Sequence, residues 1–262
     1  MAAKIRSGNS RGFDPTLPSN RFVLGGSVVA GAAGGFAALV AGERLAEAVG
    51  WGVASGGGFF IAWALARELH PDRPGVAAVA ALLGPVFLLL DRPKLLSSGV
   101  VLLVARLVAG TTGRRFQWVD ALVLLVLAGL SIGTPVGTAV LAVAAAATGA
   151  TWFGPSRGGP VATTTIALGL LAAWSAAAVE GGLVWGLEAI DGGVALFGLA
   201  AIAGPVKVVT GTDREGGVIH PGRVRAARVF AAGTVAASAA LGGVGVLGPV
   251  AAALIGTALR PR

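Results

Sequence analysis

The sequence predicts an all-α fold, a polytopic transmembrane bundle of about ten short helices. Three observations predict it. Hydrophobic residues make up 55% of the 262 and charged residues only 12%, half the charged share of an ordinary soluble domain. A soluble fold lacks the polar coat to bury that much apolar surface. Apolar runs of 14 to 20 residues also follow one another almost to the C-terminus, at or somewhat below the roughly 20 that a hydrocarbon core asks of a helix. Finally, the basic residues collect on one face of the resulting parse, as they do on the cytoplasmic side of membrane proteins.

The elements follow in order. Residues 1–21 are polar, with Gly, Ser, Asn, two prolines and four basic residues; they read as a disordered cytoplasmic tail. Their basic character ahead of an apolar run also fits a signal peptide. The run at 22–41 is long enough to span a bilayer, which favours a retained first helix. The apolar runs then fall into five pairs: 22–41 with 48–66, 76–90 with 95–109, 119–132 with 135–150, 161–179 with 192–208, and 226–241 with 246–259. Residues 22–259 thus form one transmembrane domain, and 260–262 a short cytoplasmic end.

The face that carries the N-terminus holds sixteen of the twenty Lys and Arg, against three on the other face (Arg44, Arg92, Lys94), with Arg106 inside a helix; the twelve acids divide evenly. Both termini are therefore expected in the cytoplasm of a cell membrane, and the acidic segment 180–191 outside. The same rule explains the net charge of +8 without nucleic acid. Anionic lipid headgroups are the expected partners of these basic segments. The six tryptophans, Trp51, Trp63, Trp118, Trp152, Trp174 and Trp185, fall at or near expected helix ends, where indole rings settle at the interface.

Two pairs stand apart. Residues 119–150 break only at Gly133-Thr134-Pro135, and 226–259 only at Gly242-Gly243-Val244-Gly245, with no charge at either turn. As one helix the latter would be about 51 Å long, and each arm alone is about 22 Å. The alternative to ten helices is therefore six full spans plus two re-entrant hairpins. Backbone that turns at membrane depth needs burial or a wet cavity, so Gly133, Thr134, Pro135, Gly242 and Gly243 become site candidates.

The tripeptide Gly-Pro-Val recurs at residues 84, 159, 204 and 248. Proline kinks helices, and matching kinks in helices three and eight would suit two inverted five-helix halves. Ten helices with both ends inside is similar to the drug/metabolite transporter class, by architecture alone. Gly-x-x-x-Gly spacings occur at Gly31/Gly35, Gly52/Gly56, Gly129/Gly133 and Gly182/Gly186; they let helix backbones approach closely.

Candidate chemistry is sparse. Glu68, His70 and Asp72 are the densest ionisable cluster beside a helix. They could act as acid and base, although a solvated connector with cancelling charges explains them more simply. Arg106, Arg114 and Arg115 could receive phosphate, as could the basic run 223–228; topology alone accounts for such segments too. No charge falls at mid-span, which disfavours a proton-coupled pump. Hydroxyls within the apolar runs, such as Ser131, Thr138, Thr164, Ser175 and Ser238, are expected to bond carbonyls of their own helices. No cysteine is present and the two histidines lie in separate loops, so neither a metal nor a cofactor is expected.

Residues 154–159, Gly-Pro-Ser-Arg-Gly-Gly, resemble the Pro-Gly-x-Ser-Arg-Ser motif of undecaprenyl-diphosphate phosphatases, and Glu43/Glu47 share the spacing of that family's paired acids. The charge rule places Glu43 and Glu47 on the face opposite Arg157, and the serine-rich segment beside the acids is missing, so no catalytic residue is carried over. Three functions remain, in this order: a permease for a small uncharged or lipophilic solute, an enzyme acting on a lipid or isoprenoid phosphate at the cytoplasmic face, and an accessory subunit.

Overall fold

The structure, a computed structural model, describes residues 14, 16–89, 94–112, 115–152, 159–179, 198, 200–203, 206, 208, 209, 211, 218–242 and 247–259. Among these the chain is helical throughout, apart from turns and one isolated bridge between Gly211 and Val218. The helices are α1 (Pro18–Val40), α2 (Leu45–Leu69), α3 (Pro74–Leu83) continued by a 3-10 segment (Gly84–Leu89), α4 (Leu95–Ala109), α5 (Trp118–Gly129), α6 (Pro135–Trp152), α7 (Gly159–Ala178), α8 (Pro221–Gly242) and α9 (Gly248–Leu259). Nine of the ten expected apolar runs are thus described as helices; of the run at 192–208, only 198 and 200–203 are described as helical.

Three helices are long and apolar enough to cross a membrane: α1, α2 and α8 over Pro221–Leu241. At 1.5 Å per residue they are about 34, 37 and 33 Å long. The rest are shorter; α4 reaches about 22 Å and α5 and α9 about 18 Å. Apolar side chains cover much of the outer surface, including Val28, Val29 and Phe36 of α1, Leu122 of α5 and Leu170 of α7.

Several helices begin or end outside the expected bounds. α1 starts at Pro18, inside the stretch assigned to the tail, where proline at the first turn lacks only an amide that would be unpaired anyway. α2 runs on to Leu69 and α8 starts at Pro221. Hydropathy cut both short at Arg67 and Arg225, whose charges read as loop; Glu68, just beyond the first cut, is nonetheless fully buried, as is Arg228 inside α8.

α1 packs along α2 through the two expected glycine pairs. A Cβ placed on Gly31 would lie 3.1 Å from the Gly52 carbonyl oxygen, one on Gly52 would lie 2.9 Å from that of Gly31, and one on Gly56 would lie 2.6 Å from that of Ser27. Only hydrogen fits there, so the backbones touch. The third spacing does something else: nothing comes within 4 Å of Gly129 or Gly133, and Gly133 has φ +85°. That left-handed angle suits glycine and closes the α5–α6 turn. The Gly182/Gly186 pair lies outside the described residues.

The Gly-Pro-Val tripeptides at 159 and 248 open α7 and α9, and the one at 84 marks the change from α3 to 3-10. In the first two, proline starts a helix rather than kinking it, as its fixed φ favours. Gly204 and Pro205 lie outside the described residues.

The helices stand at different heights. Leu95, the first residue of α4, and Pro249, at the start of α9, sit against Gly57 and Gly58, the midpoint of α2. The register holds along α4, since Arg106, eleven residues on, meets Glu68, eleven on from Gly57. α2 therefore rises about 18 Å beyond the tops of its short neighbours. The ends of α2, α4 and the start of α8 meet at the opposite, arginine-bearing end.

Candidate functional site

The arginine end is built from helix termini. The last turn of an α-helix leaves carbonyls without intrahelical donors and carries partial negative charge. Two arginines from the first turns of α8 answer that need. Arg223 donates from Nε to the Val108 carbonyl and from Nη2 to that of Leu107, each at 2.9 Å, at the end of α4. Arg228, 1% exposed, donates from Nε to the Leu69 carbonyl at 2.9 Å, at the end of α2, and from Nη1 to that of Ala201 at 3.2 Å. Gly110 ends α4 at φ +65°, and a Cβ there would lie 2.5 Å from the Arg223 Cζ. The backbone angle favours glycine here, and a side chain at this position would also displace the guanidinium above it.

The third tie is ionic. Arg106 in the last turn of α4 donates from Nε to Glu68 Oε1 at 2.8 Å, and the Thr111 hydroxyl donates to Glu68 Oε2. Glu68 is wholly buried and Arg106 nearly so. A buried carboxylate is tolerated when its oxygens are hydrogen-bonded and its charge is paired.

This corrects the reading of residues 67–73 as a solvated connector with cancelling charges. Glu68 is a helix residue that locks α2 to α4. Asp72 does lie in the connector, and its Oδ2 accepts from the Val209 amide at 2.8 Å. His70, partly buried, caps the end of α2. The structure thus brings Arg106 to Glu68, while Asp72 reaches toward 209. Arg115 is exposed, and Arg114 lies outside the described residues. Sequence reasoning missed Arg223 and Arg228 as individuals, because a basic run before an apolar stretch looks the same whether its members face water or helix ends.

At the same end a groove of about 870 Å³ opens between α6 and α8. Its walls are apolar, from Val143, Ala147 and Ala150 on α6 and Val229, Phe230 and Gly233 on α8. Its mouth is polar: Thr151, His220, Arg223 and Arg225. Arg225 and His220 are exposed, and the His220 Nδ1 accepts from the Gly222 amide at 3.2 Å.

The stepped heights leave a second space at the far end. A recess of about 440 Å³ lies between the upper half of α2 (Gly50, Val53, Ala54), the start of α4 (Lys94 to Ser97) and the α5–α6 turn, including Ser131 and Thr134. Thr134 caps α6, its Oγ1 accepting from the Gly137 amide at 3.0 Å. The turn is held to α7 by Ser175, which accepts from the Gly133 amide at 3.2 Å and pairs with the Thr138 hydroxyl at 2.7 Å. Pro135 opens α6. Gly242 ends α8, and Gly243 lies outside the described residues.

The other hydroxyls mostly serve their own helices, as expected: Ser131 bonds the Leu127 carbonyl, Thr164 that of Pro160 and Ser238 that of Thr234. Ser175 departs by crossing between helices. Asp120, buried at the start of α5, accepts from the Gln117 amide at 2.8 Å in a capping box. Glu43, in the loop between α1 and α2, bonds Glu47, and that bond followed by the neighbouring charge raises its pKa above the usual glutamate value. Among the described residues no group of three His, Asp or Glu could hold a metal ion. No protein-family model, curated protein or solved structure matches this chain.

Proposed function

We propose that the chain is a multi-pass integral membrane protein, with the arginine end in the cytoplasm, that takes up a lipophilic solute through the groove between α6 and α8 in the manner of a permease. Three long apolar helices and an apolar outer surface support the membrane setting. The single observation that carries the solute reading is the groove itself: about 870 Å³, within the range of small-molecule sites, with apolar walls. An enzymatic reading is weaker, because both oxygens of Glu68 are already engaged by Arg106 and Thr111.

Gly233 lines the groove, and nothing lies within 4 Å of a Cβ built there, so Gly233→Phe can carry its ring into the groove with open space at its Cβ. The purified protein should retain an uncharged fluorescent lipophile, and the variant should lose it while keeping its elution volume and thermal midpoint. Retention by a well-folded Gly233→Phe would end the groove reading. Orientation has its own test, since the chain has no cysteine. In closed vesicles a cysteine at Lys94 and one at Arg225 should react with an impermeant thiol reagent from opposite sides; labelling of both from one side would refute the topology.

A further inference from the structure

The groove is polar at one end only. Along α8 the lining runs from His220, Arg223 and Arg225 to Ala226, Val229, Phe230 and Gly233; along α6 it runs from Thr151 down to Val143. From 220 to 233 the helix rises about 20 Å. A solute matched to this space has a charged head and a long apolar body. The sign of the head follows from the mouth, which among the described residues carries two arginines and a histidine and no acid.

The three arginines at the start of α8 are not equivalent. Arg228 is buried on the carbonyls of Leu69 and Ala201, away from the groove. Arg223 spends Nε and one Nη on α4, which leaves three of the five guanidinium protons. Arg225 is exposed at the mouth and, among the described residues, forms no ion pair. Guanidinium groups suit phosphate and carboxylate through paired N–H donors.

We infer that the groove binds a single membrane lipid with an anionic headgroup, drawn from the cytoplasmic leaflet, its chain along residues 226–233 and its head at Arg225, with Arg223 and His220 beside it. This rests on the groove being a lipophile site and adds the chemical class of the occupant. The amphipathic lining selects a lipid over a free anion, whose binding would leave the apolar walls without a purpose.

The test is native mass spectrometry of the full chain after equilibration with equal amounts of phosphatidylglycerol and phosphatidylcholine. The wild type should retain one phosphatidylglycerol. Arg225→Gln should lower that retention about five-fold, the effect of one basic residue at an anionic surface, and Arg225→Lys should restore most of it. Gly233→Phe should remove both lipids. Equal retention of the two lipids by the wild type would overturn the anionic assignment and leave the groove reading standing. Phosphatidylglycerol held equally by Gly233→Phe would place the lipid elsewhere and overturn both. A lipid-free dimer would overturn the inference in favour of a second copy in the groove.

Discussion

The α1–α2 hairpin and the joined ends of α2, α4 and α8 are held by opposite means, although α2 belongs to both. Along its upper half α2 meets α1 through Gly52 and Gly56, with backbone against backbone. At its lower end it meets its neighbours through Glu68 and the Leu69 carbonyl, each engaged by an arginine. The first contact works by removing side chains. The second works by supplying donors where helix termini lack them. Glycine contacts in lipid depend on close dispersion packing over a length of helix, whereas each arginine contact is local and compensates a specific buried group. The first should tolerate polarity changes and fail on added volume; the second should do the reverse.

The largest expected effect comes from Arg106→Ala. It removes the guanidinium hydrogen-bonded to the buried Glu68 carboxylate, a loss of about 3–5 kcal/mol. The thermal midpoint in detergent should fall sharply, and amide exchange should rise at the ends of α2 and α4 while 26–56 stays protected. The double change Glu68→Leu with Arg106→Leu should recover much of the loss. A uniform rise in exchange across α1 would show that the two regions are not independent.

Gly56→Leu is the converse. Its Cβ would press on the Ser27 carbonyl oxygen, backbone rather than a yielding side chain, and overpacking of this kind costs about 1–3 kcal/mol. Amide exchange should rise along 22–40 and leave 95–109 unchanged. A stable variant with unaltered exchange would mean that the glycine contact contributes little.

Gly110→Ala should have the smallest effect, about 1–2 kcal/mol for an alanine at left-handed φ. It should also push Arg223 off Val108, so that amide exchange at the end of α4 rises further than the backbone penalty alone predicts. Exchange confined to residue 110 would separate the glycine from the arginine above it.

The glycine region was legible in the sequence and the arginine region was not. Gly31/Gly35 and Gly52/Gly56 announce themselves by spacing, because helical periodicity puts both members of a pair on one stripe. Nothing in the run 223–228 distinguishes Arg225 at the mouth of the groove from Arg228 in the interior. That distinction depends on which helix ends arrive beside α8, a tertiary fact. The same gap hid the role of Glu68, singled out in the sequence as an acid beside a helix, because its partner lies 38 residues away. Helix order was legible because apolar runs record it directly. Helix height was not, since hydropathy says how long a segment is and nothing of where it starts relative to its neighbours.

That difference in height has an electrical consequence once the chain sits in a bilayer as proposed. Water that fills the recess beside Lys94 brings the external potential down to the start of α4. The membrane voltage then falls across about 22 Å of α4 rather than about 37 Å of α2, so the field along the short helices is steeper by a factor of about 1.7. A unit charge moved through the whole drop still gains about 2.3 kcal/mol per 100 mV, but gains it over a shorter path. In such a bundle the thin sector, and not the long hairpin beside it, is where voltage acts most strongly on a dipole or a bound ion.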